Sequence, residues 1–289
     1  MLPDGRTLAY ADLGDPDGRP VVLMHGTPSS RLEAAVLDEV AGNRGWRVIA
    51  PDRPGIGRSS PQPGRRLVDW PADLTALLDH VVGGGVDAPR VPLLGYSGGA
   101  PYALVMAHAR PERVSMVAVV SGWGPPDRPG AYRGVARPEH VFDSVARHAP
   151  ILIRAALAVT GMVLRRSPAL GTAVLDPRIQ LGPFIESLRQ GASGPTEDLR
   201  LIVVPWGFPV GAVQVPVHLW HGSDDPEIPA HHAEFLARIV PDASLDVIAG
   251  ADHLLLFSHA DEIFGRLAEL ADEAERDAAT APETVITLY

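Results

Sequence analysis

One stretch restricts the possible folds of this chain more than any other: Val91-Pro-Leu-Leu-Gly95-Tyr96-Ser97-Gly98-Gly99-Ala-Pro-Tyr-Ala-Leu104. It reads as a short apolar strand, a tight turn carrying a serine, and the start of a helix. In a G-x-S-x-G turn of this kind the serine sits in a strained backbone conformation that exposes its hydroxyl. Gly95, Gly98 and Gly99 fill the flanking positions, where a Cβ would clash. The helix behind Ser97 points its N-terminal N–H groups and its dipole toward any negative charge formed at a reacting carbon. Such a motif also arises by chance, so its place between an apolar run and a helix is what makes Ser97 a candidate nucleophile.

The chain around it alternates strand and helix. Residues 6–13 and 20–24, joined by the turn cluster Gly14-Asp-Pro-Asp-Gly18, read as a β-hairpin opening a sheet. A helical pattern runs to Asn43, followed by a strand over 46–50. The loop Pro51-Asp52-Arg53-Pro54-Gly55-Ile56-Gly57-Arg58-Ser59 is too rich in glycine and proline for either element. Asp69 reads as an N-cap with Pro71 in the first turn, and Leu74, Leu77, Leu78 and Val81 share one helix face. Residues 114–120 are almost wholly apolar, as a parallel strand covered on both faces should be.

From 123 to 214 this rhythm breaks. The segment reads as short helices over 138–148, 151–166, 182–190 and 196–204, without a strand. Beyond 215 come strands over 215–220 and 244–248 and helices over 229–240 and 261–275. We therefore expect an α/β core of residues 1–122 and 215–277 around a mostly parallel sheet, a helical cap over 123–214, and a loose tail over 278–289. Residues 284–288 in that tail have strand propensity and could dock on a sheet edge.

A serine hydroxyl is a weak nucleophile unless a base takes its proton and a carboxylate holds that base in the right tautomer. Both partners are expected in loops after later strands. One such loop is His221-Gly222-Ser223-Asp224-Asp225-Pro226-Glu227-Ile228-Pro229; another is Ala249-Gly250-Ala251-Asp252-His253. Pro226 confines the residue before it to extended geometry, which gives Asp225 a defined direction. Other chemistries are excluded or disfavoured by composition. There is no cysteine, so thiol catalysis and disulfides are absent. With 25 basic and 35 acidic residues the net charge is −10 and no basic cluster stands out, against nucleic acid as a partner. No signal peptide or bilayer-length apolar run is visible, so the expectation is a cytoplasmic protein acting on a small molecule, not at a membrane.

Four motifs together resemble the α/β-hydrolase fold superfamily in its cap-bearing branch. They are His25-Gly26, Asp52-x-x-Gly55-x-Gly57-x-Ser59, Gly95-Tyr96-Ser97-Gly98-Gly99, and Gly222-x-x-Asp225-Pro226-x-Ile228-Pro229 followed by Gly250-x-x-His253. The resemblance covers nearly the whole chain apart from the cap. It implies an eight-stranded-type sheet with helices on both faces and a triad in the order Ser97, Asp225, His253. It also implies an oxyanion hole from the backbone N–H groups of Gly98 and Thr27, since Pro28 has no N–H. The Thr27 hydroxyl could add a further donor. One position departs from the pattern: Asp252 precedes His253 where many relatives have glycine, placing a third carboxylate beside the histidine.

Several residues have plainer readings. His25 can anchor its loop as readily as take part in chemistry, and Arg53 and Arg58 are expected to brace theirs. His221, His231 and His232 follow no metal-binding spacing, so neither metal nor cofactor is expected. Trp123, Met162, Phe184, Trp206 and Phe208 could line a pocket or pack the cap. The leading expectation is hydrolysis of an ester, thioester or lactone of a small apolar molecule, in a largely apolar pocket between cap and core. Serine at the turn argues against the dehalogenases and epoxide hydrolases of similar fold, which carry aspartate there. A cyclase, an isomerase or a carbon–carbon hydrolase on the same fold comes second, and a ligand receptor third. Substrate identity and oligomeric state are not legible at this level.

Overall fold

In the computed structural model residues 1–135, 137–166 and 181–280 are described, with side chains to residue 277. Seven strands form one sheet among them, in the order β1-β3-β2-β4-β5-β6-β7. They are β1 (Tyr10–Gly14), β2 (Arg19–Met24), β3 (Trp46–Pro51), β4 (Val91–Tyr96), β5 (Val114–Val120), β6 (Val217–Gly222) and β7 (Ala243–Ile248). Every neighbouring pair is parallel except β1, which runs antiparallel to β3. Among the described residues the sheet thus has seven strands, against the eight-stranded type that the resemblance implied.

The expected hairpin does not form. The Gly14–Gly18 turn carries the chain around the end of β3, where Asp15 N–H donates to the Trp46 carbonyl and Arg19 N–H to that of Gly45. β3 therefore slots between β1 and β2, and satisfies both with ladder hydrogen bonds that a direct β1–β2 pairing would have supplied to only one side.

Side chains alternate between two helical layers. Val22 and Met24 of β2 pack with Leu74, Leu77 and Leu78 of α2 (Trp70–Val81), with α3 (Ala100–Ala109) and with α8 (His231–Ile239). Val21 and Leu23 face the other way. They meet Leu37 of the 3₁₀ turn Arg31–Leu37, Ala41 of α1 (Asp38–Asn43), α9 (Leu255–Ser258) and α10 (Ala260–Thr280). Covered on both faces, β5 has all seven residues buried. Asp69 makes no side-chain cap on α2; its carboxylate turns back and accepts the Arg66 N–H at 2.8 Å. α10 continues to Thr280, so the first residues of the expected tail are helical, and the strand propensity of 284–288 falls outside the described residues.

Between β5 and β6 the described residues form four helices: α4 (Arg137–His148), α5 (Pro150–Arg166), α6 (Leu181–Ser187) and α7 (Ser193–Val203). They bury an apolar cluster of their own, including Ile153, Leu157, Phe184, Leu188 and Leu199. Among the described residues of this segment there is no strand, and no single helix is long and apolar enough to cross a membrane.

Candidate active site

Parallel strands end on the same side, so the loops after β2, β4, β6 and β7 come together. Met24 lies across from Gly95, and Gly222 from Ile248. From β2 the chain goes to β3 on one side, and later to β4 on the other, which opens a crevice where strand order reverses. Ser97, at φ +51°, sits there on a backbone conformation that a non-glycine residue adopts only under constraint. Its neighbours explain the glycines. A Cβ on Gly95 would stand 2.8 Å from Ala100 Cα, one on Gly98 would stand 2.7 Å from Thr27 Oγ1, and one on Gly99 would collide with the Met24 carbonyl.

Three of the expected side chains meet. Ser97 Oγ is 3.0 Å from His253 Nε2, and His253 Nδ1 is 2.8 Å from Asp225 Oδ2. The other oxygen of Asp225 accepts the N–H groups of Glu227 and Ile228, each at 2.9 Å. Asp224 takes no part and accepts the Ser223 hydroxyl instead. Burial would raise the Asp225 carboxyl, but hydrogen bonding to His253 outweighs it and holds the group below the usual carboxylate range. Burial likewise pulls His253 down, yet the hydrogen bond and charge of Asp225, with Glu227 and Glu33 behind it, leave the imidazole above its ordinary value. Tyr96 supports the histidine from below: its hydroxyl donates to the His253 carbonyl at 3.2 Å.

Asp252 is not the third carboxylate of this site. Its Oδ1 accepts the Leu254 N–H at 2.9 Å, which ties it to its own turn. Glu227 has that place, with Oε2 3.7 Å from His253 Nε2. The Thr27 hydroxyl is not available as an extra donor to a substrate oxygen either. It donates to Asp198 Oδ2 at 2.9 Å and accepts from Arg53 at 2.7 Å. Thr27 and Gly98 are close neighbours beside Ser97: a Cβ on Gly98 would stand 2.8 Å from Thr27 Cβ.

Behind Thr27 lies a buried ionic cluster. Arg53, fully buried, donates to the His25 and Gly26 carbonyls and to Asp198 of α7. Arg65 and the Tyr102 hydroxyl also donate to Asp198 Oδ1, at 2.8 and 2.7 Å. Burial alone would raise the Asp198 carboxyl; the charges of Arg53 and Arg65 hold it far below the normal range. Arg53 thus braces the loop after β2 and locks α7 to it, whereas the Arg58 side chain is mostly exposed. His25, sealed in by burial and by Arg53, is driven down to about 3; its Nδ1 faces the Gly26 carbonyl. Buried Glu33 accepts the Gly26 N–H at 2.6 Å and fixes the same turn.

The other candidate histidines each hold a backbone group. His221 Nε2 holds the Ile228 carbonyl at 2.6 Å, His231 Nε2 meets the Arg133 carbonyl, and His232 Nδ1 accepts the Gly124 N–H. Among the described residues no three His, Asp or Glu side chains converge as metal ligands would.

Ser97 opens into a cavity of about 350 Å³ between the core loops and the inserted helices. Trp123, Phe142, Leu199, Ile202 and Val203 give it apolar walls, and Glu139, Asp143 and Glu227 put carboxylates on it. Of the five large apolar residues expected at a pocket or in packing, only Trp123 lines this cavity. Phe184 is in the insert's own core, Trp206 and Phe208 stack on each other, and Met162 is 45% exposed. Asp198, Arg65, Glu33, Glu139 and Asp143 carry no local signal in the sequence. Glu227, two residues past Asp225 in the same loop, is the one that proximity could have flagged.

The sequence pattern of the Alpha/beta hydrolase family matches residues 21–266. A non-heme chloroperoxidase of Streptomyces lividans is 29% identical over 268 residues, 89% of this chain and 92% of its own. A non-heme haloperoxidase of Rhodococcus erythropolis is 29% identical over 281 residues, 90% and 94% of the two chains. An esterase of Exiguobacterium antarcticum, 18% identical, superposes with a TM-score of 0.68 over 94% of this chain and 97% of its own, a likeness of fold.

Proposed function

The chain belongs to the alpha/beta hydrolase family, and on that footing we propose that it is a serine hydrolase cleaving an ester, thioester or lactone of a small molecule. The observation that carries this reading is the continuous relay of Ser97 Oγ, His253 and Asp225 at the floor of the cavity. In it, His253 Nε2 takes the Ser97 proton as Oγ attacks the carbonyl carbon. Asp225 keeps the proton of Nδ1 in place and stabilises the imidazolium that forms. The Gly98 and Thr27 N–H groups receive the oxyanion. His253 then hands its proton to the leaving oxygen or sulfur, and water repeats the sequence on the acyl-enzyme. Residues 123–214 serve as the cap: α4 and α7 close the cavity from above, and the Asp198 cluster fastens α7 to the core.

The test is labelling by a fluorophosphonate probe together with turnover of p-nitrophenyl acetate. Labelling confined to Ser97, with ester turnover, is the expected result; neither labelling nor turnover in folded protein would end the reading. The haloperoxidase names of the two curated relatives favour one variation on it. An acyl-enzyme attacked by hydrogen peroxide instead of water releases a peracid, which then oxidises halide in solution. Halogenation dependent on both a carboxylic acid and Ser97 is expected in that case; halogenation that survives Ser97→Ala would count against it.

A further inference from the structure

α4 turns two carboxylates, Glu139 and Asp143, into the cavity one helical turn apart. Asp143 is only 7% exposed. Its Oδ2 is buried and meets no hydrogen-bond donor among the described residues, and the same holds for Glu139 Oε2. Apart from His253 beneath Ser97, no Lys, Arg or His stands at the cavity among the described residues, while Glu227 adds a third carboxylate. Such a group is costly: acidic side chains are almost never fully buried unless paired. Burial, and then the neighbouring charge of Glu139, push Asp143 up to about 7. The arrangement contrasts with Asp198 on α7, which is buried with two guanidinium groups against it.

The rest of the wall suits a cation as well. The rings of Trp123 and Phe142 line the same space, and an aromatic face attracts an ammonium group that has left water. We propose that the cavity takes a cationic ester, whose alkylammonium group lies between Glu139 and Asp143 against the rings of Trp123 and Phe142. This inference rests on the reading of Ser97 as the nucleophile: the substrate brings the countercharge that the protein withholds, and its carbonyl reaches Ser97 from that anchor. Glu139 and Asp143 are specificity residues in this arrangement; neither is placed at the reacting atoms.

A matched pair of probes tests it: butyrylcholine and its uncharged carbon isostere 3,3-dimethylbutyl butyrate. The wild type should show a kcat/KM at least about tenfold higher on the cationic ester, within what contact of a desolvated ammonium with an aromatic face contributes. That ratio should fall at least about fivefold in Asp143→Asn and in Glu139→Gln, which each remove one charge attracting the ammonium. Tetramethylammonium ion should slow fluorophosphonate labelling of Ser97 in the wild type and do so less in both variants. Labelling of the variants without the ion reports that their sites are folded. Normal labelling with equal rates on the two esters, a preference for the neutral one, or a ratio unmoved by both substitutions overturns the inference and leaves the hydrolase reading standing. Absence of labelling and turnover in the folded wild type removes the hydrolase reading, and this inference with it.

Discussion

The floor and the wall of the cavity treat polar side chains in opposite ways. On the floor, His253 is held at both ring nitrogens, by Ser97 and by Asp225, and Asp225 accepts two further backbone N–H groups. On the wall, Asp143 is buried with one oxygen that meets no hydrogen-bond donor among the described residues. The same contrast recurs within the inserted helices, where Asp198 has two arginines and Asp143, among the described residues, has none. Their carboxyls move in opposite directions, Asp198 far below the usual range and Asp143 up to about 7. Groups that carry out chemistry must stand in geometry before the substrate arrives, since assembling them at the moment of reaction would add to the barrier. A group that recognises the substrate can be left open, at a cost in stability that binding relieves.

The contrast can be broken most forcefully at the floor. Ser97→Ala should lower kcat by about 10³- to 10⁶-fold with little change in ligand affinity, because the hydroxyl matters chiefly in the transition state. Single-turnover kinetics and equilibrium binding of a slow ester check it; retention of a tenth of the activity would rule out covalent catalysis.

Next in size is the orienting acid. Asp225→Asn should lose about 10³- to 10⁴-fold in kcat at pH 7, and Asp224→Asn less than about tenfold. The pH profile carries a second readout. His253 must be neutral to act as base, so kcat/KM rises with pH through a midpoint above the ordinary histidine value. Asp225→Asn removes the main group that raises it, and the midpoint should move to lower pH. A profile unchanged in position would mean that something else orients His253.

The anchored carboxylate of the insert comes third. Asp198→Asn leaves Arg53 and Arg65 buried without their shared anion, and should cost about 3–5 kcal/mol in urea unfolding. A loss under about 1 kcal/mol would show that the cluster does not fasten α7 to the core.

Smallest, and opposite in sign, is the effect at the wall. The folded-state pKa of Asp143 is raised, so the folded protein holds a proton there that the unfolded chain releases. Its presence therefore costs stability progressively as pH rises from about 4 to about 7, and the cost is constant above that. Asp143→Asn should raise Tm by about 2–4 °C at pH 8 and leave it unchanged near pH 4, read by calorimetry. A destabilised variant at pH 8 would mean that Asp143 has a structural partner and the wall is not open.

Sequence alone reaches far into this protein where function depends on local backbone. Ser97 needs a left-handed turn walled by small residues, and Gly95, Gly98 and Gly99 announce that turn within five positions. Asp225 is aimed by Pro226 and held by the N–H groups just after it, so its distinction from Asp224 is also written locally. Strand–helix alternation and its break after β5 follow from runs of apolar residues, which report burial directly. What tertiary structure alone decided are meetings between distant segments. Arg53 and Asp198 are 145 positions apart, and neither carries a mark of the other. β1 pairs with β3 and not with β2, a choice made by which edge lies open once β2 and β3 have joined. Nothing local in the sequence marks Glu139 and Asp143; only the packing of α4 over Ser97 puts both on the cavity and buries Asp143. Local propensity is a property of a few neighbouring residues, whereas burial, charge pairing and the shape of a cavity exist only between elements that have already docked.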